Sequence, residues 1–253
     1  MENRKGLCFA LHQNAKVKSW QYIKKYYPTY LSKSERFKEL VVPYLNPDLD
    51  MIDLGCGRGL ETSIPYKELT RRSYGLDLSE SVFSNRTIHH PLQGSVYDIP
   101  LPEASVDLAV NQELLEHLEF PQKMFNETAR ILRPNGMFAV MTPNLWDPFM
   151  IVSFLTPYSF HKFVNRVLYD IDPADVFPTW YRANTLGSLK KLGARAGLEL
   201  VRHEYFKCNP GSLSFSPTLT RLEVAYSRLI SKYDVLSCLR DIIIVFFRKP
   251  PAS

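Results

Sequence analysis

The sequence predicts an α/β fold: a doubly wound, mostly parallel sheet with helices on both faces. Three observations predict it. Short, nearly continuous apolar runs recur along the chain with helical repeats between them, as expected of parallel strands buried on both sides. A glycine-rich turn, Gly55-Cys56-Gly57-Arg58-Gly59, follows the first of these runs directly. The 253 residues are 45% hydrophobic and 23% charged, enough to build a sizeable core within one large domain.

The elements follow in order. An aromatic and basic arm, Trp20 to Tyr30, precedes a helix over roughly Ser34 to Leu45, whose Phe37, Leu40, Val41 and Tyr44 fall at i, i+3, i+4 and i+7. Asn46-Pro47 stops it. MIDL (51–54) reads as the first strand, SYGLDLS (73–79) as the second, GSVYDIPLP (94–102) as a short third edge and VDLAVNQ (106–112) as the fourth. A helix over about Pro121–Leu132 puts Met124, Phe125, Ala129 and Leu132 on one face, and Asn135-Gly136 turns the chain into MFAVMT (137–142). The pattern lapses between Pro143 and Arg182, where prolines interrupt an aromatic-rich stretch. It resumes with a helix that Asn184-Thr185 caps and Gly197 ends. The strand LELVRHEYF, an amphipathic helix over about 218–232 and the buried strand in DIIIVFFRKP complete the chain. The expected organisation is therefore one domain, 1–253. It has a helical arm or lid (1–47), a core (48–145), a lid insertion (146–185) and a C-terminal part of the sheet (186–253) with a helical insertion at 209–238.

Composition excludes several classes. Cys8, Cys56, Cys208 and Cys238 are widely spaced, which argues against a zinc ribbon or a disulfide framework and fits a reducing cytoplasm. His89-His90 lack a third ligand at a plausible spacing, so no metal site is expected. The net charge of +5 is mild, and no basic run with interleaved aromatics points to nucleic acid. The N-terminal segment is too charged for a signal peptide, and FMIVSFL (149–155) and IIIVFF (242–247) are far short of the roughly 18 residues that span a bilayer. A cytoplasmic protein without stable membrane insertion is expected; its oligomeric state is not legible.

In an open α/β sheet, ligands bind beyond the carboxyl ends of the strands. A dinucleotide would prefer G-x-G-x-x-G and a helix whose N-terminus faces the pyrophosphate. Here the spacing is G-x-G-x-G, Leu60 takes the sixth position and Pro65 interrupts the following helix. Asp77 lies 22 residues after Gly55, at the end of the second strand, where a carboxylate can accept ribose hydroxyls. The pattern points to a nucleoside without phosphates.

These residues, with DLGCGRG, GLDLS, DIPLPEASVDLAV, LLEHLEFPQKMFNETARILRPNGMFAVMTPN and YRANT in that order, resemble the class I S-adenosylmethionine-dependent methyltransferases, in the small-molecule, type 11-like branch. The resemblance covers about residues 48–145 and the terminal strand. It implies a Rossmann-like, seven-stranded sheet and S-adenosylmethionine as cofactor, with S-adenosylhomocysteine as product. Asp53, Gly55, Cys56, Gly57 and Gly59 would line the methionine part, Asp77 with Leu78 would face the ribose, and Val96 would offer its N–H to adenine. Ser95 stands where many relatives carry an acid that bonds the adenine amino group. Asn111, with Gln112 behind it, would sit beneath the sulfonium.

In-line transfer to a well-oriented nucleophile lowers the barrier by about 7–11 kcal/mol through positioning alone, so a base is optional. His117, near the end of the fourth strand, is the candidate base. His161, Trp180, Tyr181 and Arg182 of the insertion are the candidate acceptor contacts. The expected acceptor is a small or medium-sized metabolite methylated on oxygen, with nitrogen second. A lipid-like quinone precursor at a membrane surface and a non-catalytic binding protein are the rival readings.

Overall fold

Seven strands form one sheet in the order β3-β2-β1-β4-β5-β7-β6. They are β1 (Asp50–Leu54), β2 (Arg72–Asp77), β3 (His90–Gln93), β4 (Val106–Gln112), β5 (Leu132–Pro143), β6 (Glu199–Phe206) and β7 (Ile242–Arg248). β1 to β5 pair in parallel, whereas β7 runs antiparallel to β5 and β6. The helices are α1 (15–26), α2 (Lys33–Val41), α3 (Tyr66–Leu69), α4 (Pro121–Ile131), α5 (Pro148–Leu155), α6 (Leu186–Arg195) and α7 (Pro217–Lys232). This computed structural model describes residues 15–29, 31–59, 63–155 and 178–251. His161 and most of the expected lid insertion lie outside the described residues.

Alternation along the strands sorts the core into two layers. Ile52, Leu54, Ala109, Phe138, Val140, Val245 and Phe247 face α4 and α6, where Phe125 meets Phe138 and Phe247 edge-on at 5.4 and 5.6 Å. Met51, Leu108, Val110, Met141, Ile244 and Phe246 face Phe37, Leu40 and Val41 of α2, with Tyr66. Each fully buried aromatic or aliphatic side chain contributes about 1.5–3 kcal/mol.

Local signals set the boundaries. Ser32 caps α2 in a reciprocal pair with Glu35, and Thr185 caps α6 in the same way with Ser188. Asn184 is not the cap; its amide bonds Thr142 Oγ1 at 2.7 Å and the Pro143 carbonyl at 3.1 Å. Gly197, at φ +74°, ends α6. The third strand is displaced from the expected one. His90–Gln93 pairs with β2, while 94–102 is a loop whose Val96 and Ile99 enter the core. Pro91 masks this strand in the sequence, because it removes a ladder donor, and it is tolerated because β3 is the sheet's edge.

At the amino end of the sheet, the buried Asp50 carboxylate accepts from Arg71, Arg72 and Arg133 at 2.6–3.0 Å, and Arg133 also bonds Asp107 at 2.6 Å. Hydrogen bonds from Arg72, then Arg71 and Arg133, hold Asp50 far below the usual carboxylate range. This knot ties β1, β2, β4 and β5 at one end. β1 lies between β2 and β4, so the strand order reverses at its opposite, carboxyl end, where the site forms.

Candidate active site at the carboxyl edge

β1 ends at Asp53-Leu54 and the chain turns through Gly55 (φ +79°), Gly57 (φ +53°) and Gly59 (φ +69°). All three occupy left-handed conformations that a side chain would strain. A Cβ on Gly59 would lie 2.5 Å from Asn85 Oδ1, so this glycine is also needed for packing. A Cβ on Gly57 would meet nothing within 4 Å, so that stretch of backbone is open to a ligand.

A cavity of about 320 Å³ lies over this turn, and Asp53, Gly55, Cys56, Gly57, Gly59 and Gln112 line it together. Desolvation, then the charge of Asp77, pushes Asp53 up to about 7, with no cation among the described residues holding it down. Beside it the hydroxyl of buried Tyr66 faces Gln112. Its ionisation is raised by desolvation and then by Asp53. Burial likewise raises the Cys56 thiol, and a Cβ on Gly75 would lie 2.7 Å from its sulfur, so Cys56 fills space against β2.

Asp77 does not line the cavity but is joined to it. Its Oδ2 accepts the Gly57 N–H at 2.8 Å and its Oδ1 accepts the Ser79 N–H at 2.8 Å. Each oxygen keeps a second lone pair for a ribose hydroxyl. Leu78 is exposed next to it. Ser95 Oγ accepts from the Tyr97 N–H at 3.1 Å and so stabilises the loop turn, while the Val96 side chain is buried. Asn111 and Gln112 face opposite sides of β4, and Gln112 is the one in the cavity. Asn111 is fully buried, donates to the Leu54 carbonyl at 2.9 Å and fixes the end of β1. The alternation of strand side chains makes this distinction, which a ligand-based reading of the pair misses.

The structure adds residues from the other wall. Ser34, at the start of α2, lines the cavity with Glu113, which holds a left-handed φ of +51° and ion-pairs with Lys33. A second cavity of about 510 Å³ shares Ser34 with the first and is lined by Trp20, Lys33, Met150, Lys207, Glu223 and Asp241. The helical periodicity over 34–45 is a sequence signal for α2, but it carries no hint of what its N-terminus overlies.

His117, Trp180, Tyr181 and Arg182 line neither of these cavities. They form one loop cluster. His117 Nδ1 lies 2.8 Å from the Pro178 carbonyl, the Trp180 N–H donates to the Glu116 carbonyl at 2.7 Å, and Arg182 bonds the Glu119 carbonyl at 2.8 Å. The Arg182 guanidinium lies 5.0 Å from the Trp180 ring centre. Beneath them the buried Glu116 carboxyl, 3.3 Å from Thr142 Oγ1, is pushed up to about 7 chiefly by desolvation.

The residues present fit a nucleoside carrying a cationic sulfur: open backbone at Gly57, a carboxylate at Asp53 that makes no ion pair among the described residues, and residual acceptor capacity on Asp77. A phosphate ligand would meet the Asp53 and Asp77 carboxylates as well as Arg58, and among the described residues the first helix after the turn is the four-residue α3.

Comparison with known proteins agrees. Residues 52–140 match the methyltransferase domain family. A probable S-adenosylmethionine-dependent methyltransferase of Mycolicibacterium smegmatis is 36% identical over 99 residues, 38% of this chain and 38% of that protein. A ubiquinone biosynthesis O-methyltransferase of Ruegeria pomeroyi is 28% identical over 186 residues, 70% of this chain and 71% of the relative. The structure of an S-adenosylmethionine-dependent methyltransferase from Mesorhizobium loti superposes with a TM-score of 0.55 at 17% identity, over 84% of this chain and 97% of that one, and shows the shared fold. Residues 52–140 are thus similar to a methyltransferase domain, and the sheet that the flanking strands complete has the fold of the Mesorhizobium loti structure.

Proposed function

We propose that this chain transfers the methyl group of S-adenosylmethionine to an oxygen, and less readily a nitrogen, of a small or medium-sized metabolite by in-line displacement. The observation that carries this reading is Asp53, which makes no ion pair among the described residues and lines a cavity whose glycine backbone is open at Gly57. When bound there, the cofactor supplies an electrophilic methyl on a positively charged sulfur. Asp53 and Gln112 would face its methionine part, and Asp77 its ribose. The second cavity would hold the acceptor, and Lys33 and Glu113, paired across the partition, would keep α2 in place between the two. The oxygen preference is supported by the name of the Ruegeria pomeroyi relative.

His117, the base candidate from the sequence, lines neither cavity, so the transfer is proposed to rest on positioning without a base from that loop. His117→Ala is expected to leave turnover and cofactor affinity little changed, and a large loss of turnover at unchanged cofactor affinity would restore His117 as the base. The primary experiment is calorimetric titration with S-adenosylmethionine and S-adenosylhomocysteine, followed by label transfer to a panel of phenols, alcohols and amines. Absence of binding by both nucleosides overturns the proposal. Binding without transfer to any acceptor favours a non-catalytic role.

A further inference from the structure

Helices α1 and α7 lie side by side, joined by Arg221 over the Tyr22 ring at 5.6 Å and Arg228 over the Tyr26 ring at 4.6 Å. Their charges are one-sided. Residues 15–26 contain four lysines and no acid. The single carboxylate of α7, Glu223, is buried and accepts the backbone N–H groups of Gly211, Ser212 and Leu213 at 3.0 Å. Lys18, Lys24, Lys25, Arg221, Arg228 and Lys232 are all exposed. Among the described residues none of these six enters an ion pair. Asp234, just beyond α7, is bonded to Arg240.

Exposed aliphatic groups lie among these cations. Leu222 is 63% exposed, Leu229 51% and Val235 86%, and Val17 is exposed on α1. Residues 222, 225, 229 and 232 fall at i, i+3, i+7 and i+10, so Leu222 and Leu229 share a stripe with Lys232. Trp20 is exposed on α1 and also lines the second cavity.

We propose that this face of α1 and α7 docks on an anionic phospholipid surface. A cationic rim around exposed aliphatic residues matches such a surface in both charge and polarity. A nucleic acid backbone would answer the cations but leave Leu222, Leu229 and Val235 in water. A second copy of this chain meeting it symmetrically would oppose like charges. The docked orientation places Trp20, at the rim of the second cavity, toward the lipid.

The test is co-sedimentation of the full chain with vesicles of phosphatidylcholine alone or mixed with phosphatidylglycerol. Binding to the mixed vesicles at low salt, release as salt rises, and little binding to pure phosphatidylcholine are expected. The triple variant R221Q/R228Q/K232Q, shown folded by an unchanged melting temperature, should bind about a hundredfold more weakly, roughly fivefold per cation removed. Leu222→Ser with Leu229→Ser should also weaken binding at low salt. Three results overturn the proposal: no binding to either vesicle, equal binding to both, or wild-type binding by the triple variant. A wild-type dimer in solution that the leucine variant loses would assign the face to a second copy instead.

Discussion

Gly57 and Gly59 are two residues apart in one turn, both at positive φ, yet alanine at each should fail for a different reason. Placing an alanine in the left-handed region costs about 1–2 kcal/mol at either position. At Gly57 nothing further is lost in the free protein, because the added methyl points into open space. At Gly59 the methyl would displace Asn85, whose side chain bonds the Cys56 and Gly57 carbonyls at 3.3 and 3.2 Å and the Thr87 N–H and hydroxyl at 2.9 and 2.7 Å. With about 0.5–1.5 kcal/mol per neutral hydrogen bond, and some of the four retained after adjustment, Gly59→Ala should cost about 3–5 kcal/mol in total. For a chain of this size 1 kcal/mol moves the melting temperature by roughly 2–4 °C. Gly57→Ala should therefore melt only a few degrees low, while Gly59→Ala melts roughly 6–20 °C low. Titration with S-adenosylhomocysteine gives the complementary readout. Gly57→Ala should lose at least tenfold in affinity, because its methyl occupies ligand space. If Gly57→Ala binds like the wild type, the ligand does not lie against this backbone and the cavity assignment is wrong. If the two variants melt alike, the packing argument fails.

Asp77→Ala should weaken S-adenosylhomocysteine binding by about 1–3 kcal/mol in calorimetry, through lost hydrogen bonds to a charged acceptor. Asp53, raised to about 7 from 3.8, keeps its proton longer in the native state than in the unfolded chain. Its contribution to stability is present below about pH 4 and is lost as pH rises through about 7. Asp53→Asn should thus raise the melting temperature of the ligand-free protein at pH 8 more than at pH 5, while weakening S-adenosylmethionine binding at pH 8. Asp50→Ala should destabilise by about 2–4 kcal/mol in urea unfolding, since it leaves three arginines without their shared partner. At the opposite end of the sheet from the cavity, it should leave cofactor affinity unchanged in the folded protein.

β1, β2, β4, β5 and β7 were legible because strands buried in the sheet are nearly continuous apolar runs, β6 because apolar residues recur between its charges, and the turn because three glycines at alternate positions have few other uses. β3 was not, since Pro91 and His90 give it neither alternation nor β-branched residues. Pairing with Tyr74–Asp77 makes it a strand. Asp53 and the glycines could be placed in the site from sequence, because all belong to one contiguous turn. Lys33, Ser34 and Glu113 could not, because α2 and the end of β4 are 80 residues apart for the Lys33–Glu113 pair and meet only through folding.

The sequence by itself determined the sheet, its two apolar layers and the chemistry of the turn after β1, since each depends on residues within a few positions of one another. Tertiary structure alone decided which member of Asn111-Gln112 faces the cavity, because the pleat and its packing set the phase of the strand. It also decided that Asp53 makes no ion pair among the described residues and that α2 stands between two cavities. Burial and charge balance depend on all the elements that converge on a point, and no local pattern records that convergence.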